Sequence, residues 1–152
     1  MSIVVALAIA GILLTIAVPS MLDQVSRGQI KEALALASVA KKPIDLAWSL
    51  GAPLPADNGS AGLPAADRIV SNYVSAVAVQ NGAIHLTLGN KIHAALAGRI
   101  VSMRPAVVPG ETLVPIAWVC GHASAPSPMT LLGADRTDVD VRLLPFECKA
   151  GP

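Results

Sequence analysis

Charged side chains are absent from the first twenty-two residues of this chain, and Asp23 is the first charged residue. The whole 152-residue sequence is poor in charge, with 14% charged residues and 53% hydrophobic ones, where about 25% charged residues is usual. Its net charge of +1 gives no reason to expect binding to nucleic acid or to an acidic partner. DNA is a possible partner that the sequence does not indicate.

Aromatic residues are also scarce, since the chain has only Trp48, Tyr73, Trp118 and Phe146. None lies in the apolar N-terminal run, which argues against electron conduction through stacked rings. The sequence has no Ser/His/Asp arrangement, no paired carboxylates and no phosphate-binding glycine loop that stands out. We therefore predict a protein that is not an enzyme, with no cofactor and no small-molecule substrate.

Candidate metal ligands are few and poorly spaced. His85, His93 and His122 lie far apart, with no helical or CxxC partner, so we predict no metal site. Cys120 and Cys148 form a lone pair without further ligands, and they follow an N-terminus that points to a membrane. We predict a disulfide in an oxidising compartment. Closing a loop of 27 residues would stabilise the chain by about 3–4 kcal/mol in the chain-entropy model.

Three acidic residues in the C-terminal region, Asp135, Asp138 and Asp140, could suggest an oxygen-rich calcium loop. The segment lacks the glycine and the bidentate Glu of an EF-hand. Arg136 and Arg142 alternate with these acids. We therefore predict a solvated face whose charges compensate one another.

The apolar run from Ile3 to Val18 is slightly shorter than the roughly 20 residues that cross a bilayer. A cleaved signal peptide is the main alternative. No Lys or Arg precedes the run, no small-x-small site ends it, and helical patterning continues past it. We therefore predict a segment that is retained in the mature protein.

Beyond Asp23 the apolar residues recur every three or four positions, which predicts one long helix from about Ser2 to Leu50. Pro19 removes a backbone donor, so we expect a kink or local unwinding there. Gly11 could soften the same region. Pro43 is a second possible break.

From Tyr73 the period changes to two, which places Tyr73, Val77 and Val79 on one face of a strand and Val74 on the other. Asn81-Gly82 predicts a tight hairpin turn because both residues tolerate positive φ. Further strands are predicted at Ala83–Leu88, Arg99–Arg104 and Val114–Cys120. Prolines limit the length of these strands, and the tail from Gly121 is predicted to be loop with one short strand at most.

The predicted fold is α+β, with the second half of the helix packed on a roughly four-stranded antiparallel sheet. We divide the chain into five segments by their predicted structure. These are the hydrophobic helix 1–22, the amphipathic half 23–50, the connecting loop 51–72, the sheet 73–120 and the disulfide-bounded region 121–152.

Three groups of residues occur together in an order that resembles one family. The first is the apolar run with Gly11 and Pro19. The second is Tyr73–Gly82 followed by Leu-Gly-Asn-Lys and Leu-Ala-Gly, and the third is Trp-Val-Cys-Gly followed by Leu-Pro-Phe-Glu-Cys-Lys. In this order they resemble type IV pilins of the class a kind.

The resemblance implies that the N-terminal segment anchors the subunit in the inner membrane and later forms the core of a filament. The implied partners are further copies of the chain, the inner membrane and the pilus assembly machinery. Small residues such as Ala6, Ala8 and Gly11 would permit close helix packing. The implied core-packing residues are Ile3, Val4, Val5, Leu7, Ile9, Gly11, Ile12, Leu13, Leu14, Ile16 and Val18.

The resemblance further implies a major pilin of a Gram-negative bacterium, carried on an extracellular pilus used for motility, adhesion or DNA uptake. A minor pilin or a secretion pseudopilin is one alternative, although pseudopilins usually lack the loop that Cys120 and Cys148 would close. A membrane-anchored periplasmic binding domain that never polymerises is another.

The family's processed leader, methylated Phe and nearby Glu have no counterpart here. Alignment on Gly11 places the family's Glu at Ser2. We expect the gene to encode a Gly-Phe-Thr-Leu-x-Glu junction upstream of Met1.

Overall fold

The computed structural model describes residues 2–151, except for the side chains of residues 16–20. This part of the chain has an α+β architecture, as predicted, in which helices pack on an antiparallel sheet. Its helices and strands are α1 (Ser2–Ala35), α2 (Ser38–Ser49), β1 (Val74–Gln80), β2 (Ala83–Leu88), β3 (Ile100–Val107), β4 (Ala117–Cys120) and β5 (Thr130–Leu131).

Helix α1 continues without interruption through Gly11 and Pro19. Of the two expectations for this region, the local unwinding is therefore wrong, whereas the kink stays a prediction. A proline removes one backbone donor, but the turns on either side keep their own hydrogen bonds, so the helix can continue.

The helical segment is interrupted at Leu36 and Ala37 instead. The backbone N–H groups of these two residues donate to carbonyls three residues earlier, at 3.1 Å each, and not four residues earlier. The tighter spacing belongs to a 3₁₀ turn. Pro43 lies inside α2, so the second predicted break is also misplaced. A proline ring crowds the carbonyl four residues before it, which for Pro43 is that of Val39. The tight turn at Leu36 and Ala37 lies just before this carbonyl.

The sheet has the strand order β1-β2-β3-β4, with every neighbouring pair antiparallel. The short strand β5 also pairs with β3, so the sheet has one strand more than the predicted four. The hairpin between β1 and β2 turns at Asn81 and Gly82, whose φ angles are 49° and 82°. This is the backbone conformation that the Asn-Gly pair predicted.

A β-bulge in β1 changes which residues share a face. Val74 pairs with Leu88 and Ala76 pairs with Thr87, so Ser75 is an extra residue. The extra residue reverses the alternation. Val74 is therefore buried on the same side as Val77 and Val79, whereas simple alternation predicted opposite faces.

Strand β3 extends to Val107 although Pro105 lies within it. The last pair between β2 and β3 joins Ile84 and Met103, so Pro105 lies beyond the end of β2. Its missing N–H costs no hydrogen bond to β2 there, and its carbonyl accepts from the N–H of Leu132 at 2.9 Å. The prediction that β3 ends at Arg104 is therefore too short.

The core lies between the helices and one face of the sheet. The helices contribute a row of buried residues three or four positions apart, as expected for one helical face. This row comprises Ile30, Ala33, Ala37, Ala40 and Ile44. The sheet contributes buried side chains from its three longest strands, including Val77, Ile84, Leu86, Leu88 and Val101.

Candidate assembly surfaces

The first half of α1 presents its apolar side chains to solvent. Their exposed fractions range from 53% at Ile9 to 75% at Ile3. An exposed apolar helix of this size marks a surface that another protein or a membrane covers. The predicted core-packing residues that are exposed are Ile3, Val4, Val5, Leu7, Ile9, Ile12, Leu13 and Leu14.

Small residues leave open space along the same helix. Apart from the adjacent residues and backbone of its own helix, a Cβ placed on Gly11 would meet no heavy atom within 4 Å, so a neighbouring helix could approach closely there. The side chains of Ile16, Val18 and Pro19 lie outside the described residues. Within the described residues, no helix is long and apolar enough to cross a membrane.

The second half of α1 is held against the head, which we define as residues 26–151. Ser26 is the first buried residue of the helix, and Ile30 is fully buried. The Arg27 guanidinium donates to the carbonyl of Arg142 at 2.7 Å and 3.1 Å. The preceding 24 described residues therefore extend from the head by roughly 36 Å at 1.5 Å per residue.

Cys120 and Cys148 form a disulfide. It joins the end of β4 to the 3₁₀ turn Phe146–Cys148 and closes the disulfide loop, residues 121–147. The N–H of His122 also donates to the carbonyl of Cys148 at 2.9 Å. Gly121 has a φ of 55°, and a Cβ there would lie 2.6 Å from the carbonyl oxygen of Cys148. Only glycine fits this close approach without strain.

The disulfide loop completes the edge of β3 beyond the point where β4 ends. The side chain of Asp138 accepts a hydrogen bond from the N–H of Ile100 at 2.6 Å, and the backbone N–H of Asp138 donates to the Ile100 carbonyl at 3.1 Å. Thr137 Oγ1 accepts from the N–H of Ser102 at 3.0 Å. These contacts satisfy backbone groups that an open strand edge would expose.

Acidic and basic side chains of the disulfide loop pair with one another or with the sheet. Asp135 accepts a 2.7 Å hydrogen bond from His122 and lies 4.0 Å from the Arg104 guanidinium. Burial raises the pKa of Asp135, but hydrogen bonds from Thr137 and His122 outweigh it, so the pKa is lowered overall. The other predicted acids also have cations within 4 Å, namely Arg99 for Asp138 and Arg142 for Asp140.

A buried histidine lies on the sheet face that the disulfide loop covers. His85 is 4% exposed, and its Nδ1 lies 2.7 Å from Ser102 Oγ. Ser102 Oγ also accepts from the N–H of Arg136 at 2.9 Å, so this hydroxyl links the disulfide loop to the histidine. Burial, together with the Arg136 charge, lowers the pKa of His85. Ser102 is fully buried, so this pair is closed to a substrate.

The three histidines are not brought together as ligands. His93 caps the 3₁₀ turn Ala94–Leu96 and His122 pairs with Asp135, whereas His85 lies beneath the disulfide loop. Within the described residues, no three His, Cys, Asp or Glu side chains are grouped so that they could hold a metal ion.

The contacts of α2 with the sheet were not predicted from the sequence. Trp118 Nε1 donates to Asp45 at 3.0 Å, and the Lys41 ammonium lies 5.6 Å from the centre of the Trp118 ring. Trp48 Nε1 donates to the carbonyl of Val114 at 3.0 Å. The two tryptophans were the available signal for these contacts, because a buried indole N–H needs a hydrogen-bond acceptor.

Asn58 is a second residue whose importance was not predicted. Its side-chain amide donates to the carbonyls of Pro64 and Val77, at 2.9 Å each, and its oxygen accepts from the N–H of Val79 at 2.6 Å. The connecting segment thereby binds the outer edge of β1. The Asp-Asn-Gly-Ser composition signalled a turn, but not a side chain that binds a strand about twenty residues away.

A family model described as pilin, a bacterial filament, matches residues 26–149. The type IV major pilin protein PilE1 of Neisseria gonorrhoeae is 30% identical over 95% of this chain and 82% of its own length. A fimbrial protein of Neisseria meningitidis is 29% identical over 78% of this chain and 68% of its own length. The fimbrial protein EcpC of Eikenella corrodens is 27% identical over 95% of this chain and 84% of its own length.

The matched region includes the second half of α1, the sheet and the disulfide. The three relatives also align with most of this chain. This chain belongs to the pilin family of bacterial filament subunits, a family of structural proteins.

Proposed function

We propose that this chain is a major pilin that polymerises helically into a type IV pilus. The observation that carries the proposal is the exposed apolar first half of α1, attached to a head with its own buried core. Burial of apolar surface is favourable by about 25 cal/mol per Å², so neighbouring copies of the helix would bury one another. The head would stay folded and outermost.

The residues that pack in the filament core are the exposed set that begins at Ile3 and ends at Leu14, continued by Ile16 and Val18. Gly11 and the alanines between them let helix backbones approach closely. Before assembly the same segment is held in the inner membrane, where its lipid contacts take the place of helix contacts. The completed filament is extracellular, and the pilus assembly machinery is the further partner.

Such a filament would serve surface motility, adhesion or DNA uptake. The relatives named as major pilin and fimbrial proteins support the filament over an enzyme, and we propose no catalytic activity. The disulfide favours a pilus over a secretion pseudopilin, because it closes the exposed loop that pseudopilins usually lack. A minor pilin or an anchored domain that does not polymerise are the alternatives.

The test is to shear the cells, image the released material and identify its subunit by intact mass. Thin filaments in which this chain is the predominant subunit support a major pilin. Filaments that contain only traces of the chain favour a minor pilin. A chain that stays in the membrane fraction, with no filaments, contradicts the polymerisation.

The intact mass also tests the proposed start of the chain. If processing occurs at an upstream Gly-Phe-Thr-Leu-x-Glu junction, the mature subunit exceeds 15.5 kDa by several residues and one methyl group. A mass that matches the sequence from Met1 contradicts that start. The filament test does not depend on this result.

A further inference from the structure

Phe146 is an exposed aromatic side chain on a covalently fixed backbone. Its exposed fraction is 88%, whereas the other three aromatic residues of the chain are partly buried. It follows the buried Pro145 and lies two residues before Cys148, whose disulfide joins this turn to β4. An exposed ring held in this way loses little conformational freedom when a partner covers it.

A pocket of about 390 Å³ lies elsewhere on the head, between the end of α2 and the loop 112–116. Leu46, Trp48 and Ile116 form apolar parts of its wall, and Leu113 at its rim is 93% exposed. The hydrogen bond from Trp48 Nε1 to Val114 fixes one wall. Apolar walls with a few fixed polar groups suit an aromatic occupant.

The ring and the pocket are too far apart for one chain to join them. Glu147, next to Phe146, pairs with Lys31 of α1 at 3.8 Å. The pocket is lined by Asp45 and Ser49, 14 and 18 residues further along the helices. At 1.5 Å per residue this separation is roughly 21–27 Å. A second copy displaced along the helix axis could bring its ring to the pocket.

Lys149 near the ring and Asp45 at the pocket carry opposite charges, whereas Glu147 next to the ring is already paired with Lys31 at 3.8 Å. Lys149 follows Phe146 by three residues, and it forms no ion pair within the part of the chain that the structure describes. Asp45 lines the pocket, and Glu111 is exposed next to the pocket residue Thr112. Opposite charges at the rim favour the correct orientation of two copies.

We propose that Phe146 of one subunit inserts into this pocket of a second copy, with its Lys149 beside the copy's Asp45. The contact rests on the proposed polymerisation and specifies which surfaces of two heads meet. The two surfaces differ, so the contact is head-to-tail and does not form a two-fold symmetric dimer. In the proposed helical filament it repeats from subunit to subunit.

The area that the Phe146 contact buries limits how strongly it can hold two subunits together. A phenylalanine buries about 150–250 Å², whereas a stable interface buries at least about 1,200 Å². The ring alone therefore cannot hold two subunits together. It sets the axial position of heads whose affinity comes from the N-terminal helices.

A photo-reactive phenylalanine analogue at position 146 of the full chain tests the contact in assembled filaments. Illumination is expected to join two subunits, with the cross-linked peptide mapping to residues 45–49 or 112–116 of the second one. The same analogue at Val141, which is 53% exposed in the disulfide loop, is the matched control and should not give this cross-link. Filaments that form without the expected cross-link, or cross-links to other peptides, overturn the inference.

A substitution pair provides an independent readout. Phe146→Ala removes the ring, and Ser49→Trp fills the pocket from its exposed wall. Each substitution is expected to increase the fraction of subunits that warm detergent releases from filaments. The double variant should release no larger a fraction than either single variant, because both changes disrupt the same contact. Additive losses, or an equal loss with Val141→Ala, contradict the contact. Failure of the unmodified chain to form filaments contradicts the proposed function instead.

Discussion

Asn58 binds the outer edge of β1, and its replacement tests whether one side chain protects that edge. Asn58→Ala removes both hydrogen bonds to the strand, the one from Val79 N–H and the one to the Val77 carbonyl. Val77 is fully buried and Val79 is 4% exposed, so water cannot readily replace the lost amide. The third bond, to the Pro64 carbonyl, is exposed and readily rehydrated.

The expected loss of stability follows from the two backbone groups, the Val77 carbonyl and the Val79 N–H, that are left without a hydrogen-bond partner. Leaving a buried polar group unsatisfied costs roughly 1–3 kcal/mol. Two such groups predict that Asn58→Ala lowers the free energy of unfolding by roughly 2–4 kcal/mol, allowing for partial relaxation of the loop. For a chain of this size that is a fall in Tm of about 6–12 °C.

The measurement is thermal unfolding of the full chain in mild detergent, followed by near-ultraviolet circular dichroism. Ser60→Ala is the matched control, because it alters an exposed hydrogen bond to Asp57 in the same loop and should change stability by less than about 0.5 kcal/mol. If Asn58→Ala behaves like Ser60→Ala, the amide does not protect the edge of β1 and the reasoning fails.

Three further predictions concern the region around the disulfide. Burial lowers the pKa of His85, so the unfolded chain takes up a proton more readily than the folded one. The free energy of unfolding should therefore fall as pH decreases below about 6.5. This is refuted if His85→Gln shows the same dependence of unfolding free energy on pH as the parent. Cys148→Ser opens the bond to Cys120 and should cost about 3–4 kcal/mol in the chain-entropy model, measured by denaturant unfolding against the oxidised parent. Gly121→Ala should cost at least about 2 kcal/mol because it adds contact with a backbone oxygen at 2.6 Å to the strain of positive φ. Gly98→Ala, with φ +77° and open space, should show only the strain, and equal losses at both glycines would contradict the steric argument.

The sequence patterns that depend on near neighbours along the chain predicted the fold well. The period of three and four located the buried helix face that includes Ile30 and Ile44. The Asn-Gly pair located the hairpin, and β2 begins and ends at the predicted residues Ala83 and Leu88. These features succeed because a turn or a helix face is decided largely by residues a few positions apart.

The errors in the sheet arose where a residue's effect depends on a neighbour distant in sequence. Pro105 was expected to end a strand, but β2 does not extend to the position opposite it, so no hydrogen bond to β2 is lost. Ser75 reverses the alternation of β1 through a bulge opposite Thr87 and Leu88. A Cβ on the neighbouring Gly89 would lie only 2.8 Å from the Cβ of Ser75. Local pattern does not contain such cross-strand information.

The two candidate surfaces, the apolar helix and the pair formed by Phe146 and the pocket, differ in how far the sequence predicted them. Exposure of the apolar helix was implied by its lack of charge and by the family resemblance. The position of Phe146 relative to the pocket near Trp48 was not predictable, because it depends on the disulfide, on the α2 contacts and on the loop 112–116 together. Scarce aromatic residues were a signal of important positions, but not of which ones would meet.

The helix joins two parts of the molecule that gain stability from different partners. Its second half contributes Ile30, Ala33 and the residues after them to a core that one chain completes by itself. Its first half has no such core, so its apolar surface is buried only when another apolar surface covers it. The proposed assembly through Ile3 to Leu14 would therefore require no unfolding of the head. Mutations in the head should alter subunit stability and head contacts, whereas polar substitutions in the first half of α1 should abolish filaments and leave the Tm of the head unchanged.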